Sequence, residues 1–316
     1  MRAPHPRADT RGSSRGSPSI QAGASAWRIR LAWLAAALIL TVLLSGCSRV
    51  TLVYNTADLF ARQYASDYLG LSREQMDRWE PRLTLALSRH RAEELPHLAA
   101  FFDRTLQASR VGFDATGMSC LSGKFRDLYR RQARLAVELA TPLLADLRPS
   151  QIGALARKFA EEAAEDRADL AKRDWSWETR KRARRYVRSI EDWTGRLSAE
   201  QGKIVAEVTA RMPDAEAAVV DYRARKRGEL ISLLENGASE ERIGVFMTAW
   251  LVDFADLPEE LERAGETIES RIAELFIRLG ASLDDPQRAH LDQRLRQLRD
   301  DLMKLQRQPR LALLSC

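Results

Sequence analysis

One cysteine stands where its thiol is open to chemical modification: Cys47 directly follows Leu44-Ser45-Gly46. Residues 31–44, just upstream, form an almost entirely apolar run that Arg28 and Arg30 precede. Two arginines, an apolar run and a small-residue cleavage site are the parts of a secretory signal. As a helix the run is about 21 Å long, shorter than the roughly 30 Å hydrocarbon core of a membrane. We therefore predict a leader that is cut immediately before Cys47.

Residues 44–47 also resemble a bacterial lipobox, Leu-[Ser/Ala]-[Gly/Ala]-Cys. In proteins with that motif the cysteine thiol is diacylated and, after cleavage, becomes the lipid-bearing N-terminus. The resemblance implies a lipoprotein that is held on a membrane by acyl chains such as palmitate at Cys47. Ser48 at the next position favours, by the same resemblance, the periplasmic face of the outer membrane. A plain membrane anchor or an uncleaved leader is the alternative.

The leader changes how the charge of the chain is interpreted. Of the 50 basic and 44 acidic residues, six arginines and one aspartate lie in residues 1–46, which leaves 44 basic and 43 acidic residues in 47–316. The pI of about 9.4 therefore belongs largely to the leader and is poor support for nucleic-acid binding. We predict a leader with a disordered start and a signal peptide in 1–46, followed by one periplasmic domain in 47–316.

Two further cysteines, Cys120 and Cys316, remain in the mature chain. In an oxidising periplasm they could form one disulfide that ties the end of the chain to its middle. The alternatives are a buried thiol at Cys120 and a free thiol at Cys316.

The densest basic run lies between residues 172 and 188, and Trp175 and Trp177 lie within it. It could bind anionic headgroups, lipopolysaccharide phosphates or an acidic partner, with the tryptophans at the interface. Alternatively, it could pair with the acidic residues 161–169 just upstream in a salt-bridged helical hairpin. The residues that we assign to this candidate anionic-surface patch are Lys181, Arg182, Arg184, Arg185 and Arg188.

Other residue types with catalytic or metal-binding chemistry occur in unsuitable patterns. Pro96 interrupts the helix that would bring His90, Glu94 and His97 together, so we expect no metal site and no cofactor. Residues 117–124 have the wrong spacing for a phosphate-binding loop.

Glu269-Ser270 is the kind of pair found in lytic transglycosylases, but the accompanying groove motifs are missing. We therefore predict no enzymatic activity and keep a peptidoglycan lytic enzyme, with Glu269 at the base of a deep cleft, as an alternative.

Four segments share the form Leu-x-x-x-Gln and predict four helix starts: residues 71–75, 147–151, 197–201 and 283–287. In three of them Ser or Asp follows the leucine, and glutamine comes three positions later, which is the capping box. Arg148 breaks this pattern in the second segment. The unequal spacings between the four segments argue against a strict solenoid.

Apolar residues recur at three- and four-residue steps along the rest of the mature chain, with Gly and Pro at the breaks. No alternating run rich in β-branched residues persists. We predict an all-α fold of about ten amphipathic helices packed as antiparallel hairpins in a multi-helix bundle, with the main loop between Val111 and Gly123.

The first helix of this bundle carries an aromatic stripe at Leu59, Phe60, Tyr64 and Tyr68. We predict that this helix packs against the bundle. As the first segment after Cys47, it has a location at the membrane interface as its alternative.

The mature chain resembles the bacterial lipoproteins with domain of unknown function 6279. The resemblance rests on the lipobox and on four motifs, at residues 53–58, 71–75, 90–96 and 188–201. That family has no assigned activity, so the resemblance implies location and fold and transfers no catalytic residue. The boxes are also similar to the Leu-Thr-x-x-Gln motif of small periplasmic stress proteins, some of which are chaperones.

Together these features predict a lipid-anchored, non-enzymatic helical binding or scaffold module of the bacterial cell envelope. Its expected partners are the membrane, through the lipid, and an envelope protein or client chain. Nucleic acid is not an expected partner. A chaperone-like stress protein is a further alternative.

Overall fold

The helices begin where the sequence provides caps. The structure is a computed structural model that describes residues 49–314, so the predicted leader, Cys47 and Cys316 lie outside the described residues. Ser72, Ser198 and Asp284 each accept a hydrogen bond from the backbone N–H of the glutamine three positions later. Each glutamine side chain accepts one from the backbone N–H of its capping residue in return. At Arg148 only this second bond forms. All four predicted helix starts are thereby confirmed.

Within residues 49–314 the backbone forms twelve α-helices, one π-helical turn and no strand. The first six are α1 (Arg49–Asn55), α2 (Ala57–Leu69), α3 (Arg73–Arg89), α4 (Leu95–Val111), α5 (Ala115–Ala145) and α6 (Pro149–Ala171). The other six are α7 (Trp175–Thr194), α8 (Ala199–Ala210), α9 (Glu216–Glu235), α10 (Glu240–Leu251), α11 (Glu259–Ser282) and α12 (Asp285–Lys304). The π turn, His90–Glu94, joins α3 to α4. The all-α prediction is confirmed.

The four glutamines of the boxes bind one another in two pairs. Gln75 and Gln151 exchange hydrogen bonds of 2.9 and 3.1 Å between their amide groups. Gln201 and Gln287 do the same at 2.7 and 2.9 Å. Each amide also donates to the backbone carbonyl of the residue five positions before its partner glutamine. We call each pair a glutamine lock, because it joins the starts of two helices that are distant in the sequence.

The two locks mark two halves with the same internal arrangement. In the first half α2 packs on α3 and α6, and α3 packs on α5; in the second α7 packs on α8 and α12, and α8 packs on α11. In the first half the lock lies where α2, α3, α5 and α6 meet. In the second half it lies where α7, α8, α11 and α12 meet. The halves then interlock, because α4 packs on α12, α5 on α10 and α6 on α9.

The largest buried cluster lies where the two halves meet. Its members come from α5 and α6 on one side and from α9 and α10 on the other, with Leu155 and Ile243 almost completely inaccessible to solvent. A second cluster centres on Trp79 and Leu83 of α3, and the Trp79 indole N–H donates to the carbonyl of Leu139 at 2.9 Å. Apolar burial between helices from both halves therefore holds the bundle together.

The predicted main loop between Val111 and Gly123 is much shorter than expected. The structure begins α5 at Ala115, so only residues 112–114 connect α4 to α5. Asp114 is the reason, because its side chain accepts a 2.6 Å hydrogen bond from the backbone N–H of Gly117 and caps the helix. Gly112 ends α4 with a φ of 99°, a conformation that glycine adopts without strain.

The first long helix packs against the bundle as predicted, but not mainly through its aromatic stripe. Leu59, Phe60 and Tyr64 are exposed on α2, whereas Tyr68 packs against Phe159 of α6. Small residues of α2 fill the inner face instead, with Ala65 buried beside Trp79. The aromatic stripe thus lies mainly on the outer side of the helix.

Candidate functional site

Two of the motifs that carry the family resemblance meet at the π turn. The Tyr54 hydroxyl lies 2.9 Å from Nδ1 of His90, and Nε2 of His90 lies 2.8 Å from Oε1 of Gln132 on α5. Arg91 adds a cation–π contact to the ring of Tyr54, with 5.1 Å between the guanidinium carbon and the ring centroid. The imidazole therefore links α1 to α5 through both of its ring nitrogens.

The hydrogen bonds define the protonation of His90. The amide nitrogen of Gln132 donates to Glu94, which leaves Oε1 to accept from Nε2–H of His90. The imidazole then holds its proton on Nε2 and accepts a hydrogen bond from the Tyr54 hydroxyl at Nδ1. Burial lowers the pKa of His90, against the opposing effects of Gln132 and Glu94, so the neutral form is favoured.

Charged residues and the C-terminal segment complete this junction. Arg131 of α5 donates two hydrogen bonds to the Glu94 carboxylate at 2.7 and 2.9 Å. Because Pro96 has no backbone N–H, it cannot donate to the carbonyl of Ala92, four residues before Pro96. Arg310 donates to that carbonyl at 3.4 Å. The backbone N–H of Ala312 donates to the carbonyl of Pro96 at 3.1 Å. The π turn therefore joins α1, α5 and the C-terminal segment.

This junction predicts a loss of stability in mild acid. An unfolded histidine has a pKa of about 6.5 and the folded pKa of His90 is lower, so the unfolded state binds more protons as the pH falls below 6.5. His97 contributes in the same direction, because burial and then Arg131 lower its pKa, against the opposing effect of Glu94. Denaturant titrations at pH 7.5 and 5.5 should show a fall in the free energy of unfolding that is smaller in His90→Asn. His290→Asn, an exposed change on α12, should leave the fall unchanged. An equal fall in all three proteins would contradict this role of His90.

The basic run lies on α7, and two of its five assigned residues have structural partners. The Arg182 guanidinium donates at 2.8 Å to the carbonyl of Met212, just beyond the end of α8, and lies over the ring of Trp175. Lys181 lies 4.3 Å above the ring of Trp177 and 3.5 Å from Glu178. These two cations therefore hold α7 and its first turn in place.

The other three assigned residues, Arg184, Arg185 and Arg188, are exposed on α7. None of them forms an ion pair with any residue in 49–314, and the same is true of Arg180. Steps of three and four residues place these arginines on neighbouring parts of one helix surface. We call the set of Arg180, Arg184, Arg185 and Arg188 the arginine row.

The predicted pairing of this run with the upstream acidic residues does not form. Glu162 binds Arg227 at 2.7 Å and Asp166 binds Arg223 at 2.6 Å, both on α9. The cause is the packing of α6 on α9, which brings those arginines next to the acids. The arginine row is thus left with its charge uncompensated by these acids.

Two exposed tryptophans lie at the start of the helix that carries the arginine row. Trp175 and Trp177 are each 45% exposed. Asp174 caps the helix by accepting from the backbone N–H groups of Ser176 and Trp177, and these bonds lower the pKa of Asp174. The rings of the two tryptophans contact Lys181 and Arg182, and exposed aromatic side chains of this kind are typical of binding surfaces.

Two clefts in the described range 49–314 lie beside Thr84 and beside His90 and Glu94, and Glu269 lines neither of them. Glu269 is partly exposed on α11 and forms an ion pair with Arg126 of α5. Residues 117–124 lie inside α5 rather than in a loop. The described part of the chain contains no group of three His, Cys, Asp or Glu residues that could hold a metal ion.

Cys120 lies in α5 and is disulfide-bonded. Its pairing with Cys316 stays a prediction, because Cys316 lies outside the described residues, as does the predicted lipid site Cys47. Among the helices in 49–314, none is both long and apolar enough to span a membrane.

Sequence comparisons identify one relationship. A family described as DUF6279, a family of unknown function, matches residues 67–249, which is more than half of the chain. The matched range contains three of the four boxes and the π turn, while Tyr54 lies thirteen positions before its start. No curated protein and no solved structure matches the chain.

Proposed function

The chain belongs to the DUF6279 family of unknown function, and we propose that it is a lipid-anchored helical binding module of the bacterial cell envelope. Lipid on Cys47 would attach it to the membrane, and Ser48 favours the periplasmic face of the outer membrane. The proposed activity is binding rather than catalysis, without a cofactor. The lipobox supports the location, and the surface of α7 supports the binding.

The observation that carries the binding proposal is the arginine row. A single cation on a protein surface is usually hydrated or paired with an acid. Here four arginines lie together on one helix, and none of them has an ion-pair partner within 49–314. Guanidinium groups bind carboxylates through two parallel hydrogen bonds, and two exposed tryptophans at the start of the same helix add apolar surface. We therefore propose that the row binds an acidic segment of an envelope protein or client chain.

The test reverses the charge of the row without disturbing the fold. Arg184→Glu, Arg185→Glu and Arg188→Glu change exposed residues, whereas Arg182 must be kept because it binds the carbonyl of Met212. Crosslinking in intact envelopes should then recover at least about tenfold less of the partner than the unchanged protein does, since each lost charge pair weakens binding by about 1 kcal/mol or more.

A matched control keeps the same net charge change. Arg130, Arg157 and Arg242 are exposed on α5, α6 and α10 and form no ion pair within the described range, so reversing these three should leave the recovered partner unchanged. Equal recovery from all three proteins would contradict the proposal.

A second measurement separates proteins from lipids. The mature chain with Cys47→Ala is mixed with phosphatidylglycerol vesicles, with and without the three changes Arg184→Glu, Arg185→Glu and Arg188→Glu. If only the chain that keeps the three arginines sediments with the vesicles, the row binds anionic headgroups instead of an acidic protein.

A further inference from the structure

Five large apolar or aromatic side chains on α1 and α2 are exposed to solvent. They are Leu52 (52%), Val53 (63%), Leu59 (57%), Phe60 (64%) and Tyr64 (67%). We call them the outer face of α1 and α2. Exposed apolar residues that occur singly are normal, whereas five within thirteen residues form a patch that folding alone does not explain.

The backbone places these side chains on one side. Helical hydrogen bonds continue through Thr56, whose N–H donates to the carbonyl of Leu52 at 3.2 Å and whose carbonyl accepts from the N–H of Phe60 at 3.1 Å. Residues 52, 53, 59, 60 and 64 therefore keep the helical period and share one surface, about 18 Å long.

The opposite side of the same helices is already used for packing. Val50 and Tyr54 pack against the cluster around Leu95 and Leu302, and Ala65 packs beside Trp79. The bundle therefore does not use the outer face for its own packing. It is a second apolar surface on the same two helices.

The charged groups beside the outer face are paired with one another. Arg62, the cation on α2, binds both Asp58 at 2.8 Å and Glu80 at 3.0 Å, so this group keeps one net negative charge, which must stay among polar headgroups or in water. Gln63, which lies between Phe60 and Tyr64 in the sequence, donates to Asp67 at 2.7 Å, so the surface becomes more polar from residue 63 onward. The apolar part thus lies toward the start of the helices, on the side of Cys47 in the sequence.

We propose that the outer face of α1 and α2 lies in the interfacial layer of the membrane that carries the Cys47 lipid. This inference rests on the proposed lipid anchor. Leu52 is five positions after Cys47, so even an extended chain keeps the start of the face within about 18 Å of Cys47. Amphipathic helices with aromatic residues on the apolar side bury that side about 5–10 Å into the headgroup region.

The test is photo-crosslinking from the face in the full-length protein in intact envelopes. A benzophenone analogue of phenylalanine replaces Phe60 in one variant and Tyr64 in another, and both positions are exposed, so the fold should not change. The matched control is Phe125 on α5, an exposed phenylalanine at 61%. After irradiation, mass spectrometry should find phospholipid adducts at positions 60 and 64 at least tenfold more often than at 125.

Three results would overturn the inference: protein adducts without lipid at position 60, a crosslinked dimer of this chain, or equal lipid adducts at positions 60 and 125. Labelled palmitate added to the same cells keeps the two proposals apart. A chain that carries palmitate on Cys47 but forms no lipid adduct at 60 or 64 refutes only the docking of the outer face. A chain without palmitate refutes the anchor itself.

Discussion

Gln201→Ala should lower the free energy of unfolding by about 3–5 kcal/mol, which is a large part of the stability of a typical domain. Gln201 is 5% exposed, and its side chain takes part in four hydrogen bonds, with the backbone of Ser198 and Ser282 and with the amide of Gln287. Removing the side chain leaves buried donors and acceptors unsatisfied, at about 1–3 kcal/mol for each group that water does not reach. Denaturant unfolding followed by circular dichroism measures the change.

Gln63→Ala is the matched control for this prediction, because Gln63 is exposed and bonds only to Asp67 among the described residues. It should change the free energy of unfolding by no more than about 0.5 kcal/mol. A double-mutant cycle with Gln287→Ala should give a coupling of about 1–3 kcal/mol, since either change alone breaks both bonds between the amides. Gln201→Ala and Gln63→Ala with the same small effect would show that the lock does not stabilise the fold.

The second large effect is expected from Cys47→Ala, which should move the protein from the membrane fraction to the soluble fraction. Two or more acyl chains hold a protein on a membrane almost permanently, whereas one chain alone gives only marginal binding. The only other membrane contact that we propose is the outer face of α1 and α2. Its five side chains should bind too weakly to keep the protein in the membrane fraction when the membranes are washed.

The Cys47→Ala experiment needs a different leader and a control cysteine. The variant should be exported with a leader that is removed at residue 46, because the uncleaved apolar run 31–44 could hold the chain on the membrane. Cys316→Ala, outside the lipobox, should remain in the membrane fraction. Cys47→Ala in the membrane fraction after cleavage would show that something other than lipid holds the protein there.

The helix starts could be predicted from the sequence because their chemistry is local. A capping box joins residues three positions apart, so Ser72, Ser198 and Asp284 predict helix starts without knowledge of the fold. The start of α5 is set by the same local chemistry, because Asp114, which lies among glycines in the sequence, caps the helix.

The glutamine locks could not be predicted in the same way, because each one joins boxes that are 76 or 86 residues apart. One local signal did exist. Glutamate closes a capping box as well as glutamine does, yet all four boxes carry glutamine. Only the amide offers N–H donors in addition to the accepting oxygen, and those donors make the bonds of the lock.

The arginines of the row could be identified in the sequence, but whether they form ion pairs could not be predicted from it. Whether Arg184 and Arg185 are paired depends on which helix lies beside α7, and the upstream acids Asp166 and Glu162 bind Arg223 and Arg227 of α9 instead. Likewise, helical period alone cannot show which side of α2 faces the bundle when small residues such as Ala65 suffice for packing.

Growth with labelled palmitate tests the central claim most directly. The unchanged protein should carry the label, and the protein with Cys47→Ala should carry none. A wild-type chain without label, or a label that persists after Cys47→Ala, would contradict the lipid anchor and the envelope location that we derive from it.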